Sequence, residues 1–223
     1  NGDDQFEFQA RSGGNVDLRF DTNRELRDIN AWYHLVITTD TTQSTAGDRC
    51  KIYINGVQET SFATSTIPNQ NVQPHYLYNN MTKMIGAYNN GPANYFDGQM
   101  AHFHMTDGTA YPASTFGETD ATTGIWKPKT DPGISQANYG NNGFFLKFDN
   151  SANMGLDSSG NSNNLTVNGT IIQTKDTPNN VFCTNNSLWS QESTRILTFT
   201  NINNMISGGG SSTWYQTPGT LAF

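Results

Sequence analysis

Apolar and polar residues alternate with a period of two through much of residues 6–106, the pattern of half-buried strands rather than helices. Phe6 and Phe8, then Val16, Leu18 and Phe20, flank the turn Ser12-Gly13-Gly14-Asn15 and predict a hairpin. Residues 31–40 (AWYHLVITTD) predict a longer strand, with Tyr33, Leu35, Ile37 and Thr39 on one face and Trp32, His34, Val36 and Thr38 on the other, both faces at least partly covered. Cys50, Ile52 and Ile54 alternate with Lys51 and Tyr53 and run into Asn55-Gly56, the favoured pair for a type I′ turn, so residues 57–62 are expected to return as the partner strand. Residues 64–82, polar and carrying Pro68 and Pro74, predict a long loop with a short strand at 75–78. Further strands are expected at 84–88 and 99–106, and a single helical turn at 112–117 capped by Ser114. Little periodicity runs from 118 to 141; Phe144, Leu146 and Phe148 then resume alternation, and Leu165 and Val167 follow the polar loop at 156–164. Beyond Pro178 the pattern weakens to one strand at 194–200 and a linker-like run, residues 207–212.

Strands at short intervals with turn signals between them predict an all-β, antiparallel β-sandwich. Residues 1–175 are expected to hold the sandwich and 176–223 an irregular C-terminal extension leading toward a further domain. Composition agrees: 28 Asn, 28 Thr and 21 Gly suit turns and strand surfaces, while 13 Phe, 9 Tyr and 4 Trp supply a core despite only 14% charged residues. A net charge of −7 argues against binding nucleic acid, whose phosphates require a basic surface. No apolar run is long enough to span a membrane. The chain opens without Met directly into alternation, which reads as a piece of a longer protein. Cys50 and Cys183 are too few for a disulfide scaffold and are expected as small buried apolar groups rather than as a bridge.

The order AWYHLVITTD, KIYINGV, IGAY and YFDGQMAHFHMTDG over residues 29–108 resembles the laminin G-like, concanavalin A-like jelly-roll family. Residues 116–129 (FGETDATTGIWKPK), 139–167 and 176–180 (DTPNN) are in turn similar to laminin G-like structural proteins of tailed, marine bacteriophages. That resemblance implies a concanavalin A-like sandwich with strands before residue 1, in a virion protein of the tail fibre or surface appendage. It implies partners among other virion proteins, a homo-oligomer (a trimer), and host attachment through carbohydrate. A capsid decoration protein and a glycan depolymerase are the alternatives.

Candidate chemistry divides by residue type. Sugar binding needs aromatic platforms with amides beside them, which Tyr76, Tyr78, Asn79 and Asn80 in one loop, and Tyr88, Asn89, Asn90, Asn94 and Tyr95 in another, provide. Those loops hold no Asp or Glu, which counts against a glycan-cleaving site there. Members of the family that cleave β-glucans carry E-x-D-x-x-E on one strand; here Glu118 and Asp120 fill two positions and Thr123 stands at the third, so no catalytic residue is expected and the chain is read as a non-enzyme. His102 and His104, two apart on an expected strand, share a face and could serve zinc, but no third ligand accompanies them. Laminin G-like domains bind calcium at a rim, which makes Asp97, Asp107, Asp157 and Asn161 the oxygen-bearing candidates for a calcium ion; no other cofactor is expected. The sequons beginning at Asn80, Asn164, Asn168 and Asn185 are expected by chance at this Asn and Thr content.

Overall fold

The computed structural model describes residues 4–12, 14–78, 84–87 and 95–179, together with the backbone of four short strands farther along. Six strands build the sandwich: β1 (Gln5–Ser12), β2 (Asn15–Glu25), β3 (Leu35–Thr39), β4 (Cys50–Ile54), β5 (Val57–Glu59) and β6 (Phe62–Thr66). One three-stranded sheet has the order β1-β2-β6 and the other β3-β4-β5, with every pairing antiparallel. The fold class is therefore the all-β antiparallel sandwich that the alternation predicts.

Alternation decides which residues meet between the sheets. Phe8 lies opposite Phe20 and Ala10 opposite Leu18 in the first sheet, while Ile37 lies opposite Ile52 and Leu35 opposite Ile54 in the second. Ala10, Leu18, Phe20, Cys50, Ile52 and Ile54 form the buried layer, ringed by Phe6, Phe8, Leu26, Tyr33, Ile37, Phe62, Ile67 and Tyr76. Each large side chain buried there stabilises by roughly 1.5–3 kcal/mol. Cys50 takes the apolar role expected of it: burial pushes its thiol up to about 11, and the Thr39 hydroxyl donates to its sulfur at 3.6 Å. Cys183 lies outside the described residues.

The strand expected at 57–62 is two strands in two sheets. β5 continues the Asn55-Gly56 hairpin, whose φ values of 49° and 76° are those of a type I′ turn, and the chain then crosses to pair β6 with β2. Glu59 pins the corner. Its buried carboxylate accepts from Arg24 Nε at 2.8 Å and from the Ser61 N–H at 3.2 Å, and the Asn23 N–H donates to the Ser61 carbonyl at 3.1 Å. A carboxylate inside an uninterrupted strand would have been buried without these partners.

Other elements are shorter than the pattern suggests. Residues 31–40 contract to β3, the described residues 84–87 of the strand expected at 84–88 contribute a bridge between Ala87 and Tyr95, and 75–78 form a 3₁₀ turn over His75–Leu77. The segment 99–106 retains β7 (Phe103–Met105), because His102 has φ +52°, a left-handed backbone that interrupts alternation. The helical turn forms as α1 (Ala113–Phe116), yet Pro112 occupies the N-cap and no side chain caps it; Ser114 sits inside the turn. The aperiodic stretch holds β8 (Gly117–Thr119), β9 (Trp126–Pro128) and α2 (Gln136–Tyr139), each too short to show a period. β10 (Phe144–Leu146) is fully buried and pairs with β7. Leu165 and Val167 join no strand. The chain divides into the units Asn1–Gln173 and Thr174–Phe223. In the second, β11 (Thr184–Asn185) pairs with β14 (Gly219–Thr220), and β12 (Leu197–Thr200) with β13 (Met205–Gly208), so Ser207 and Gly208 belong to a strand rather than to a linker.

Trp126 ties the β8–β9 hairpin to the sandwich. A Cβ on Gly56 would overlap one side of the indole, and a Cβ on Gly117 would overlap its Cζ2. Gly117 has φ −152°, an ordinary extended backbone, so only the ring excludes a side chain there. Gly117→Ala is expected to destabilise the fold by about 1–3 kcal/mol through overpacking. Urea unfolding measures this, and Trp126→Leu in the same chain should remove most of the penalty; an undiminished penalty would locate its cause elsewhere.

Candidate functional site

Four sets of residues carry chemistry. The first is the acidic pair on the β8–β9 hairpin. Asp120 Oδ1 accepts the N–H groups of Thr122 and Thr123, both at 2.9 Å, and the Thr123 hydroxyl at 3.1 Å, while Oδ2 takes Lys127 Nζ at 3.0 Å. These bonds, that from the Thr123 N–H first, hold the Asp120 carboxyl well below the usual carboxylate range. Glu118 lies 3.7 Å from the same Lys127 Nζ and is half exposed. Thr123, at the third place of the glucanase pattern, thus donates into Asp120. A retaining glycosidase needs one carboxylate as nucleophile and a second carboxyl, raised in pKa, as acid; here one of the pair is the hub of a loop.

The second set gathers three calcium candidates around the turn at 140–143. Asp107 Oδ2 accepts from Asn142 Nδ2 at 2.7 Å and its N–H at 3.3 Å. Asp157, only 8% exposed, accepts the Phe145 and Ser159 N–H groups on Oδ1, and the Ser159 hydroxyl and Asn163 N–H on Oδ2, all at 2.8–2.9 Å. Burial alone would raise the Asp157 pKa, but these donors outweigh it and hold the carboxyl low. Asn161 Nδ2 donates to the carbonyls of Gly140 and Gly143, and Asn163 Nδ2 to those of Asn141 and Gly143. Carboxylate and carbonyl lone pairs that a cation would require are taken by N–H donors. Asp97 is exposed in the loop after Phe96. Among the described residues, no group of three or more His, Cys, Asp or Glu is arranged to hold a metal ion.

The third set is the tyrosine loops. Tyr76 is partly buried and packs against the core rather than standing free in its loop: its ring meets Phe8 edge-on at 5.2 Å, its hydroxyl donates to Thr39 Oγ1 at 2.8 Å, and burial pushes its pKa to about 12. The loop before it is fastened down, since the His75 N–H donates to Asp17, Arg49 donates to the Pro68 carbonyl and the Asn71 N–H to the Thr41 carbonyl. Tyr78 is 37% exposed, with its ring against His75 at 4.6 Å, and Tyr95 is 66% exposed. Asn79, Asn80, Tyr88, Asn89, Asn90 and Asn94 lie outside the described residues.

The fourth set joins three histidines that the chain supplies from distant positions. Trp126 Nε1–H donates to His34 Nδ1 at 2.9 Å; indole is a donor only, so His34 carries its proton on Nε2 and is neutral. His104 stacks on Phe145 at 3.9 Å, its Nδ1 lies 2.9 Å from the Tyr139 hydroxyl, and His102 meets Phe145 edge-on at 5.5 Å. The expected zinc-like pair therefore packs on an aromatic ring, with one imidazole nitrogen bonded to Tyr139.

The model of the concanavalin A-like lectin/glucanases superfamily (Laminin_G_3) matches residues 1–113, half of the chain. The chain belongs to this superfamily. Searches of curated proteins and of solved structures give no significant match. The matched residues of this concanavalin A-like chain comprise both sheets of the sandwich, whereas the Glu118–Lys127 hairpin and the Asp157 loop follow the matched part. The Trp126–His34 bond is invisible in sequence because its partners stand 92 residues apart; its one local trace is the Gly of the Asn55-Gly56 turn, on which the indole packs.

Burial lowers the pKa of His34, His102 and His104, the last to about 3. At His102 a hydrogen bond with the Lys129 backbone, and then Asp149, oppose the effect while Lys147 reinforces it; at His104 the neighbouring His102 and His34 reinforce it and Asp131 opposes it. The unfolded imidazoles, at about 6.5, then take up protons that the folded ones refuse, so stability is lost as the pH falls below about 6.5. The unfolding free energy from urea titration is expected to fall between pH 7 and pH 5, above the carboxylate range, by at most about 1.4 kcal/mol per pH unit from His104, with smaller, solvent-screened contributions from the partly exposed His34 and His102. His104→Gln should flatten that slope; a wild-type midpoint unchanged over this range would contradict it.

Proposed function

We propose that this concanavalin A-like chain is a non-catalytic module of a bacteriophage virion, in a tail fibre or other surface appendage, that binds host-surface glycans through the rim of its sandwich. The observation that carries the non-catalytic reading is the commitment of Asp120 to four protein donors, Thr123 at the place of the acid among them. Membership of a superfamily that includes lectins, and the exposed positions of Tyr78 and Tyr95, support glycan binding. A tyrosine face offers a flat apolar surface to the C–H face of a sugar, and neighbouring amides supply donors and acceptors for its hydroxyls. The resemblance of residues 116–129, 139–167 and 176–180 to phage structural proteins supports the virion setting. Single weak sites of this kind gain strength when a homo-oligomer presents several copies to one surface.

The test is retention of the full chain on immobilised bacterial capsular and O-antigen polysaccharides. Tyr95→Ala, at a well-exposed position, is expected to keep the wild-type melting temperature, and Tyr78→Ala, which removes a ring packed on His75 at 4.6 Å, to lower it by a few degrees at most. Each should weaken retention roughly threefold to thirtyfold, equivalent to ~0.5–2 kcal/mol of ring contact. Unchanged retention in the double variant would remove the tyrosine rim from the account, and no retention of the wild type on any member of the panel would overturn glycan binding.

A further inference from the structure

The described residues contain three Asn-Gly pairs, and the fold treats them differently. In the first, Asn55 is locked in the type I′ turn, its Oδ1 accepting the His34 N–H at 2.8 Å and its own N–H donating to the His34 carbonyl, and Gly56 is pressed against Trp126. In the second, Asn142 Nδ2 is bonded to Asp107 at 2.7 Å, and the Gly143 N–H donates to the Gly140 carbonyl at 3.2 Å. In the third, Asn168 and Gly169 are both exposed, no hydrogen bond engages either residue, and the space beside Gly169, at φ +87°, is open. The surrounding chain from 166 to 172 is exposed and belongs to no strand.

We propose that Asn168-Gly169 is a site of spontaneous backbone modification, at which the asparagine converts to aspartate and isoaspartate. The reaction needs the main-chain nitrogen of Gly169 to reach the side-chain carbonyl carbon of Asn168. That nitrogen, losing its proton to solvent base, attacks Asn168 Cγ; the new C–N bond closes a five-membered succinimide as the carboxamide nitrogen leaves as ammonia. Water then opens the ring. Cleavage on the side-chain side of the imide nitrogen leaves a normal aspartate, and cleavage on the main-chain side leaves isoaspartate, with no change in oxidation state. Glycine in the following position removes the Cβ that would crowd the attacking nitrogen. At Asn55 and Asn142 the same path must first break bonds that hold the carboxamide or the attacking N–H in place.

Either product adds one negative charge to a chain already at −7. Isoaspartate also routes the main chain through an extra methylene, five residues before the last residue of the first unit, Gln173. The modification is therefore a time-dependent change of charge and geometry in the approach to the second unit, Thr174–Phe223. It also abolishes the sequon Asn168-Gly169-Thr170.

The experiment incubates the folded full chain at mildly alkaline pH, digests samples over time and separates the asparagine, aspartate and isoaspartate forms of each peptide by mass spectrometry. Conversion at Asn168 is expected to run at least roughly tenfold faster than at Asn142 or Asn55, the factor expected from two hydrogen bonds that must break first. In urea the three rates should draw together, since the fold alone separates them. Equal rates in the folded chain, or a preference for Asn168 that persists unchanged in urea, would overturn the proposal. Asn168→Gln, at an exposed site, should leave the melting temperature unchanged and remove the aspartate and isoaspartate forms of the peptide that contains residue 168.

Discussion

The layer of Leu18 and Phe20 from one sheet against Cys50, Ile52 and Ile54 from the other is the constraint on which the rest of the first unit depends. The layer closes only if the chain changes sheets between β5 and β6, and the buried Glu59 carboxylate at that corner can be tolerated only with Arg24 and the Ser61 N–H bonded to it. The same layer draws Tyr76 out of its loop and fixes residues 68–78 along the sandwich. Among the described tyrosines, Tyr78 and Tyr95 are the exposed ones, and Phe96 beside Tyr95 is exposed with them.

Outside that layer, order comes from carboxylates surrounded by short-range donors. Asp40 collects the Thr42 N–H and hydroxyl and the Gln43 amide, Asp120 the two threonines and Lys127, and Asp157 the N–H groups of three separate residues. Asn, Thr and Ser are suited to such hubs because their short side chains bond to backbone a few residues away. A chain with few helices and long loops can hold those loops in this way. Three of the acidic residues that resemble an active site or a calcium rim in sequence, Asp107, Asp120 and Asp157, accept hydrogen bonds from their own loops, whereas Glu118 and Asp97 remain exposed.

Much of the sandwich is legible from alternation, because period-two burial is a property of each strand alone. Phe8, Leu18, Phe20, Ile52 and Ile54 point inward as the pattern predicts, and Asn55-Gly56 makes the turn its residue types favour. Features set by distant partners are not legible. The corner at Glu59 and the packing of Tyr76 depend on groups dozens of residues away, and β8, β9 and α2 are too short to declare a period. Of the candidate site, the loop-capping role of Asp120 is readable from its Thr-rich surroundings, whereas the histidine cluster is a product of tertiary packing.

The central claim is that this superfamily member binds glycan without cutting it. It is tested most directly by recovering polysaccharide after prolonged contact with the full chain and measuring its size distribution and reducing ends. The account predicts glycan of unchanged length and no new reducing ends. Shortened chains, with their release abolished by Glu118→Gln or Asp120→Asn, would contradict it and make the β8–β9 hairpin an active site.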